Sequence, residues 1–260
     1  MTIFRNAVFL AALAGLVAGL VMTGLQSVFT VPLILQAETY EHAHDADAAK
    51  AASPGHAATE HAATEHAATK HAATESAQAK SDEPWEPEDG LERTLFTTLA
   101  NIVGGIGFGL LLVAASEIAG GIDGWHRGLI WGFAGFAVFT LAPSLGLPPE
   151  LPGMEAADLM ARQIWWIFTV AATAIGLALI VFRTKVAWTV LGVALIVLPH
   201  ILGAPQPESH DTLVPPNLHL LFINAAILSN LVFWLVLGAS VGAFRQRFAK
   251  GLAAQRPSLV

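Results

Sequence analysis

The sequence predicts an all-α, polytopic membrane protein, a bundle of about six transmembrane helices. Three observations predict it. Hydrophobic residues make up 54% of the 260 positions and charged residues only 13%, about half the charged share of a soluble domain. The mean hydropathy is +0.58. The apolar residues are gathered into long charge-free stretches separated by short charged ones, the pattern a bilayer imposes. Cysteine is absent, which excludes disulfides and thiolate metal ligands. The net charge of −7 is concentrated in one loop and argues against a nucleic-acid partner.

The first apolar stretch runs from Ala7 to about Leu35, with Gln26 its one strongly polar residue. A signal peptide would have a core of about 7–15 apolar residues and an A-x-A site, and this stretch is longer and lacks the site, so a retained helix is expected. The second span covers about Thr94 to Ser116 and the third about Gly128 to Leu147. The fourth, about Gln163 to Phe182, and the fifth, about Val186 to Leu202, are separated only by Arg183, Thr184 and Lys185, so they form a tight hairpin. The sixth covers about Leu218 to Phe244. Four regions follow: a first transmembrane helix (1–36), a His-rich low-complexity extracytoplasmic loop (37–93), five further helices (94–244) and a basic cytoplasmic tail (245–260).

Lysine and arginine set the direction, because cytoplasmic segments retain them. With the N-terminus inside, that side carries Arg5, Arg127, Arg183, Lys185, Arg245, Arg247, Lys250 and Arg256, against only Glu117 and Asp123. Arg162 is the exception among the short segments. Both termini are therefore expected in the cytoplasm, the chain crossing the plasma (inner) membrane of a bacterium. Gly15 with Gly19, Gly105 with Gly109, Gly128 with Gly132 and Gly238 with Gly242 are GxxxG pairs, which let helix backbones approach closely in lipid.

Polar residues outside this pattern are the candidate chemistry. The long loop repeats every five residues, placing His56, His61, His66 and His71 in register, and it also holds His42 and His44. Imidazole suits Co²⁺, Ni²⁺, Cu²⁺ and Zn²⁺, and His-rich tracts capture such metals. A five-residue step turns about 140° past a full helical turn, so these histidines share no helix face. Weak accessory capture by a flexible loop, or a solvated linker without function, are the two readings. If the first helix continues past the membrane, Glu38, Glu41 and His42 fall at i, i+3 and i+4 on one face. His200, His210 and His219 arrive at the same side from the ends of the fifth and sixth spans, with Glu208 and Asp211 nearby. With His44, these residues make a candidate divalent-metal ligand set. Each also has a plain reading, as a water-facing helix end or a hydrogen-bonded cap. Asp158 and Arg162 are spaced as i, i+4 partners. Gln26, Asn101 and Asn224 are polar within spans and form a possible pathway, or simply interhelical hydrogen bonds.

Several motifs carry a resemblance. Pro32-Leu-Ile-Leu-Gln-Ala-Glu38-Thr-Tyr-Glu41, Ala142-Pro-Ser-Leu-Gly-Leu-Pro-Pro-Glu-Leu-Pro-Gly-Met154, Asp158 through Trp166, and Leu198-Pro-His-Ile-Leu-Gly-Ala-Pro205 resemble the CbtA family. The resemblance covers nearly the whole chain apart from the His-Ala-Ala-Thr repeat. It implies a cobalt transporter subunit linked to vitamin B12 supply, with a small membrane partner, CbtB, and the lipid bilayer as surroundings. It implies no particular ligand set. The metal would be Co²⁺ as cargo, with no tightly bound cofactor, and Ni²⁺ suits the same donors. An enzyme is not expected, since Walker A, HExxH and Gly-x-Ser-x-Gly elements are all absent. A non-transporting metal sensor or assembly factor is the alternative. Of the candidate ligands, Glu38, His200 and His219 lie nearest the membrane and are expected to matter more than His210.

The repeat yields a first test. Deleting Ala51 to Lys80 is expected to weaken cobalt uptake when the metal is scarce and to spare it when abundant. Loss of uptake at every concentration would show that the loop is essential.

Overall fold

The computed structural model describes residues 2–52, 87 and 90–254, with side chains for 5–41, 87 and 90–248. Six helical spans are present, and no strand occurs among the described residues. We label them α1 to α6. Helix α1 runs through Thr2–Leu25, a π-helical segment Gln26–Thr30 and Val31–Ala52. Helix α2 is Leu91–Ile118. Helix α3 joins Trp125–Phe136, a π-helical segment Ala137–Leu141 and Ala142–Ser144. Helices α4 (Leu159–Phe182), α5 (Val186–Leu202) and α6 (Pro216–Ala254) complete the chain. Stretches of α1, α2, α4 and α6 are long and apolar enough to cross a membrane. Helix α3, about 30 Å long, and α5, about 26 Å, cross beside them. The protein is a multi-pass membrane protein, and the large apolar side chains on its outer surface face lipid.

Glycine decides which helices meet. In lipid there is no hydrophobic drive to bring helices together, so association depends on close packing. Where α1 crosses α2, a Cβ built on Gly105 would lie 2.6 Å from the carbonyl oxygen of Gly15, and one on Gly19 would lie 2.7 Å from Ile102 Cα. Helices α3 and α6 meet in the same way, Gly128 against Gly238 and Gly132 against the backbone of Trp234. All four expected GxxxG pairs lie at these two crossings. A third crossing, Gly176 against Gly192, joins α4 to α5: a Cβ on either would come within 2.6 Å of the other's carbonyl oxygen. Helix α6 also packs on α1. Leu10, Ala14, Ala18 and Met22 of α1 share one apolar core with Phe233, Trp234, Leu237 and Val241 of α6. Trp234 is its centre, 5.0 Å from the Phe108 ring and 5.5 Å from that of Phe139.

Both π-helical segments lead into a proline. Pro32 follows Gln26–Thr30 by two residues, and Pro143 follows Ala137–Leu141 by two. In an unbroken α-helix each proline would lack the N–H owed to the carbonyl four residues back and its ring would strike that carbonyl. The wider turn relieves the clash, at Val28 and Phe139 respectively.

The two ends of the bundle differ. One, the basic end, carries Arg5, Arg127, Arg183, Lys185, Arg245 and Arg247. There Glu117 of α2 pairs with Arg245 of α6, and Asp123 pairs with Arg127. The opposite end is capped by residues 145–158 and 203–215. In this cap the structure corrects one expected pairing. Asp158 does not pair with Arg162: it is the N-cap of α4, its carboxylate accepting from the Ala161 N–H at 2.9 Å. Arg162 pairs instead with Glu150, at 3.1 Å.

The glycines give a second test. Gly128→Val is expected to destabilise the protein in detergent by about 3 kcal/mol or more, the upper end for forced overpacking. Gly107→Ala, where nothing lies within 4 Å of the added Cβ, should leave unfolding unchanged. Equal effects would remove glycine contact as the reason these helices meet.

Candidate functional site

The cap holds the polar residues, and an apolar cluster holds the cap. Ala37 of α1, Leu151, Val214, and Leu218 and Phe222 of α6 are buried together, with Leu33, Ile34, Tyr40 and Met154 against them. The Leu-Pro-Pro-Glu-Leu-Pro-Gly turn supplies Leu151 and then reverses at Gly153, whose φ of +78° favours glycine. That turn lies over Glu41: a Cβ on Gly153 would be 3.4 Å from the Glu41 Cβ. The second loop is tied to the first, since Thr212 Oγ1 donates to the Gly153 carbonyl at 3.1 Å and accepts from the Val214 N–H at 3.1 Å.

Two adjoining cavities lie between these segments. The larger, about 640 Å³, is lined by Tyr40, Glu41, Gly153, Met154, Glu155, Ser209, Asp211 and Thr212, with Leu213 and Val214. The smaller, about 150 Å³, shares Met154, Glu155, Ser209, Asp211 and Thr212 and adds Glu150, His210 and His219. The larger space is open to solvent and roomy enough for a hydrated cation. Carboxylates of Glu41, Glu155 and Asp211 around one concave surface concentrate positive ions there. Among the described residues no three His, Asp or Glu side chains are close enough to hold a bare metal ion together. The cavity as it stands suits an ion that keeps its water shell.

The expected ligands are dispersed. Glu38 accepts from Arg93 of α2 at 2.8 Å, an ion pair between α1 and α2. Glu41 is on the cavity wall. His42 and His44 lie on the helical continuation of α1, their side chains outside the described residues, as are His56, His61, His66 and His71. His210 and His219 line the smaller cavity. His219 Nε2 donates to the Pro149 carbonyl at 3.0 Å. A carbonyl only accepts, so this contact requires a proton on Nε2. His200 joins neither cavity. Its ring stands edge-on to Trp165 at 5.9 Å, and its buried Nε2 has no hydrogen-bond partner. Glu150 was legible in the sequence only as part of a turn motif, and Glu155 follows that motif directly; both reach the cavities because Gly153 folds the turn over Glu41.

Deeper in the bundle, Gln26 and Asn101 do meet. Asn101 Nδ2 donates to Gln26 Oε1 at 2.6 Å and to Thr23 Oγ1 at 3.1 Å. The contact falls where α1 enters its π-helical segment. Asn224 is not part of it and is exposed on α6.

Trp165 ties the α4–α5 hairpin to the cap. It is buried, its Nε1 donates to the Pro199 carbonyl at 3.3 Å, and its ring fills the space a side chain at Gly146 would need. Trp165→Ala is expected to destabilise the protein by about 3–5 kcal/mol. Trp165→Phe, which keeps most of the ring and loses the hydrogen bond, should cost about 1 kcal/mol. Thermal unfolding in detergent reads both, and an unchanged midpoint for Trp165→Ala would refute the anchoring role.

No curated protein and no solved structure shows significant similarity to the chain. The family description of CbtA, probable cobalt transporter subunit, matches residues 4–246. That match takes in all six spans and both cap loops, and on it the chain belongs to the CbtA family of probable cobalt transporter subunits.

Proposed function

We propose that this chain is the membrane subunit of a Co²⁺ uptake transporter that serves vitamin B12 supply, working with the small membrane subunit CbtB. The observation that carries the reading beyond the family is the acid-lined cavity at the end of the bundle opposite the basic end. A basic end belongs in the cytoplasm of a bacterial cell, so the cavity opens outward and meets hydrated cations first. Glu41, Glu155 and Asp211 collect the ion. His210 and His219 in the adjoining cavity offer nitrogen donors beside the Glu155 and Asp211 carboxylates as water is shed, a mixed set that suits Co²⁺ and Ni²⁺ alike. Between the cap and the basic end, the Thr23–Gln26–Asn101 contact is a polar step within the bundle.

This arrangement shifts the emphasis among the ligands. Glu38 is engaged by Arg93 and His200 packs on Trp165, so Glu41, Glu155 and Asp211 become the first contacts. Replacing Glu155 with Gln and Asp211 with Asn together is expected to raise the Co²⁺ concentration for half-maximal uptake into proteoliposomes about tenfold, equivalent to about 1.4 kcal/mol. The maximal rate should change little. An unaltered concentration dependence would exclude the cavity as the entry point. Binding without any uptake, in liposomes that also contain the partner subunit, would favour a sensor. Nickel competition in the same assay ranks the two metals.

Orientation has its own test. Reporter fusions after Ala79 and after Lys185 should report opposite sides of the membrane, the first outside and the second inside. The reverse arrangement would turn the cavity to the cytoplasm and contradict uptake through it.

A further inference from the structure

Helix α6 has three faces, and two are occupied. It packs on α1 and α3, burying Leu218, Phe222, Ser229, Phe233 and Leu237. The third face carries Asn217, Leu221, Asn224 and Leu228, all exposed, Leu221 at 57% and Leu228 at 60%. Their spacing of four, three and four residues is the repeat of a helix that packs on another helix; the free face ends at Leu228, since Leu231 turns in against the shared core and Leu235 lies against α3. Asn224 is the anomaly. It lies eight residues into α6, about 12 Å along the helix, within the stretch apolar enough to cross a membrane. Asn230, a turn and a half further on, satisfies its amide on the Ala226 carbonyl at 3.0 Å. The Asn224 side chain forms no hydrogen bond among the described residues. A carboxamide left in hydrocarbon loses its water without replacement, which is costly.

We propose that a second copy of this chain covers this face, α6 against α6, with the two Asn224 side chains hydrogen-bonded to each other. A second copy is the occupant the chemistry favours. A carboxamide both donates and accepts, so two of them related by a two-fold axis along the membrane normal satisfy each other. The leucines at the flanking positions then pack against their own counterparts. A polar residue within such a stripe also fixes register and the number of helices. Neither cavity nor the cap lies on this face, so each copy keeps its own entry site.

The absence of cysteine makes the test clean. Leu221→Cys and Leu228→Cys variants, oxidised in native membranes, should form covalent homodimers much faster than Val190→Cys, an equally exposed apolar position on α5. In nanodiscs the unmodified chain should have the mass of a dimer. Asn224→Leu should raise the dissociation constant about tenfold, within the range measured for interhelical polar contacts, and Asn224→Gln should largely restore it. Equal crosslinking at Val190, a monomer mass for the unmodified chain, or a crosslink from Leu221→Cys to a different protein would each overturn the proposal. Should Asn224→Leu fail to fold, the crosslinking pattern and the Asn224→Gln mass decide alone.

Discussion

The structure depends on how closely two helix backbones can approach without water to push them together. At the α1–α2, α3–α6 and α4–α5 crossings, a glycine on each helix brings backbone against backbone where a single Cβ would collide. Dispersion contacts and weak Cα–H···O interactions then act over a long seam. The three pairs are not equally joined. Helices α1 and α6 share an apolar core that unites the first two pairs around Trp234. The α4–α5 hairpin reaches α3 at its π-helical segment and last turn, with Trp165 filling the gap beside Gly146. A tightly seamed core with a more lightly attached hairpin is an arrangement that allows relative movement without unpacking the core.

The cap inherits its geometry from that core. Helix α1 extends past the membrane and presents Tyr40 and Glu41, and α6 begins with Leu218 and Phe222 beside them. The two loops close over these residues because Leu151 and Val214 are buried between them. Acidic residues are left on the concave side because the turn at Gly153 uses apolar residues for anchorage and leaves Glu155 to line the space, with Glu150 beside it held by Arg162. Polar groups within the bundle are arranged for economy: Asn101 satisfies two acceptors on α1 at the π-helical segment, where the helix is already irregular.

Much of the fold was legible because the bilayer acts on sequence directly. Apolar stretches located all six helices, and α5 begins and ends where its hydropathy does. The GxxxG spacing marked the α1–α2 and α3–α6 crossings; the Gly176–Gly192 contact between α4 and α5 escaped because neither glycine has another four residues away. The π-helical segments escaped too, although Pro32 and Pro143 mark them, since a proline alone does not say whether a helix kinks, breaks or widens. The site was less legible. Sequence spacing gathered Glu38, His200 and His219 as ligands because it knows distance along the chain and not the competing partners. Arg93 and Trp165, far away in sequence, engage the first two. Asp158 and Arg162 have the spacing of an ion pair, yet the helix N-terminus takes the carboxylate and Glu150 takes the guanidinium.

The central claim is that cations enter through the acid-lined cavity between α1, the Gly153 turn and the 203–215 loop. Anomalous X-ray diffraction at the cobalt absorption edge, from crystals of the full chain equilibrated with Co²⁺, tests it most directly. The account predicts an anomalous peak inside the cavity, among Glu41, Glu155 and Asp211 and extending toward His210 and His219. Cobalt found only elsewhere on the protein, with this cavity empty at saturating metal, would contradict it.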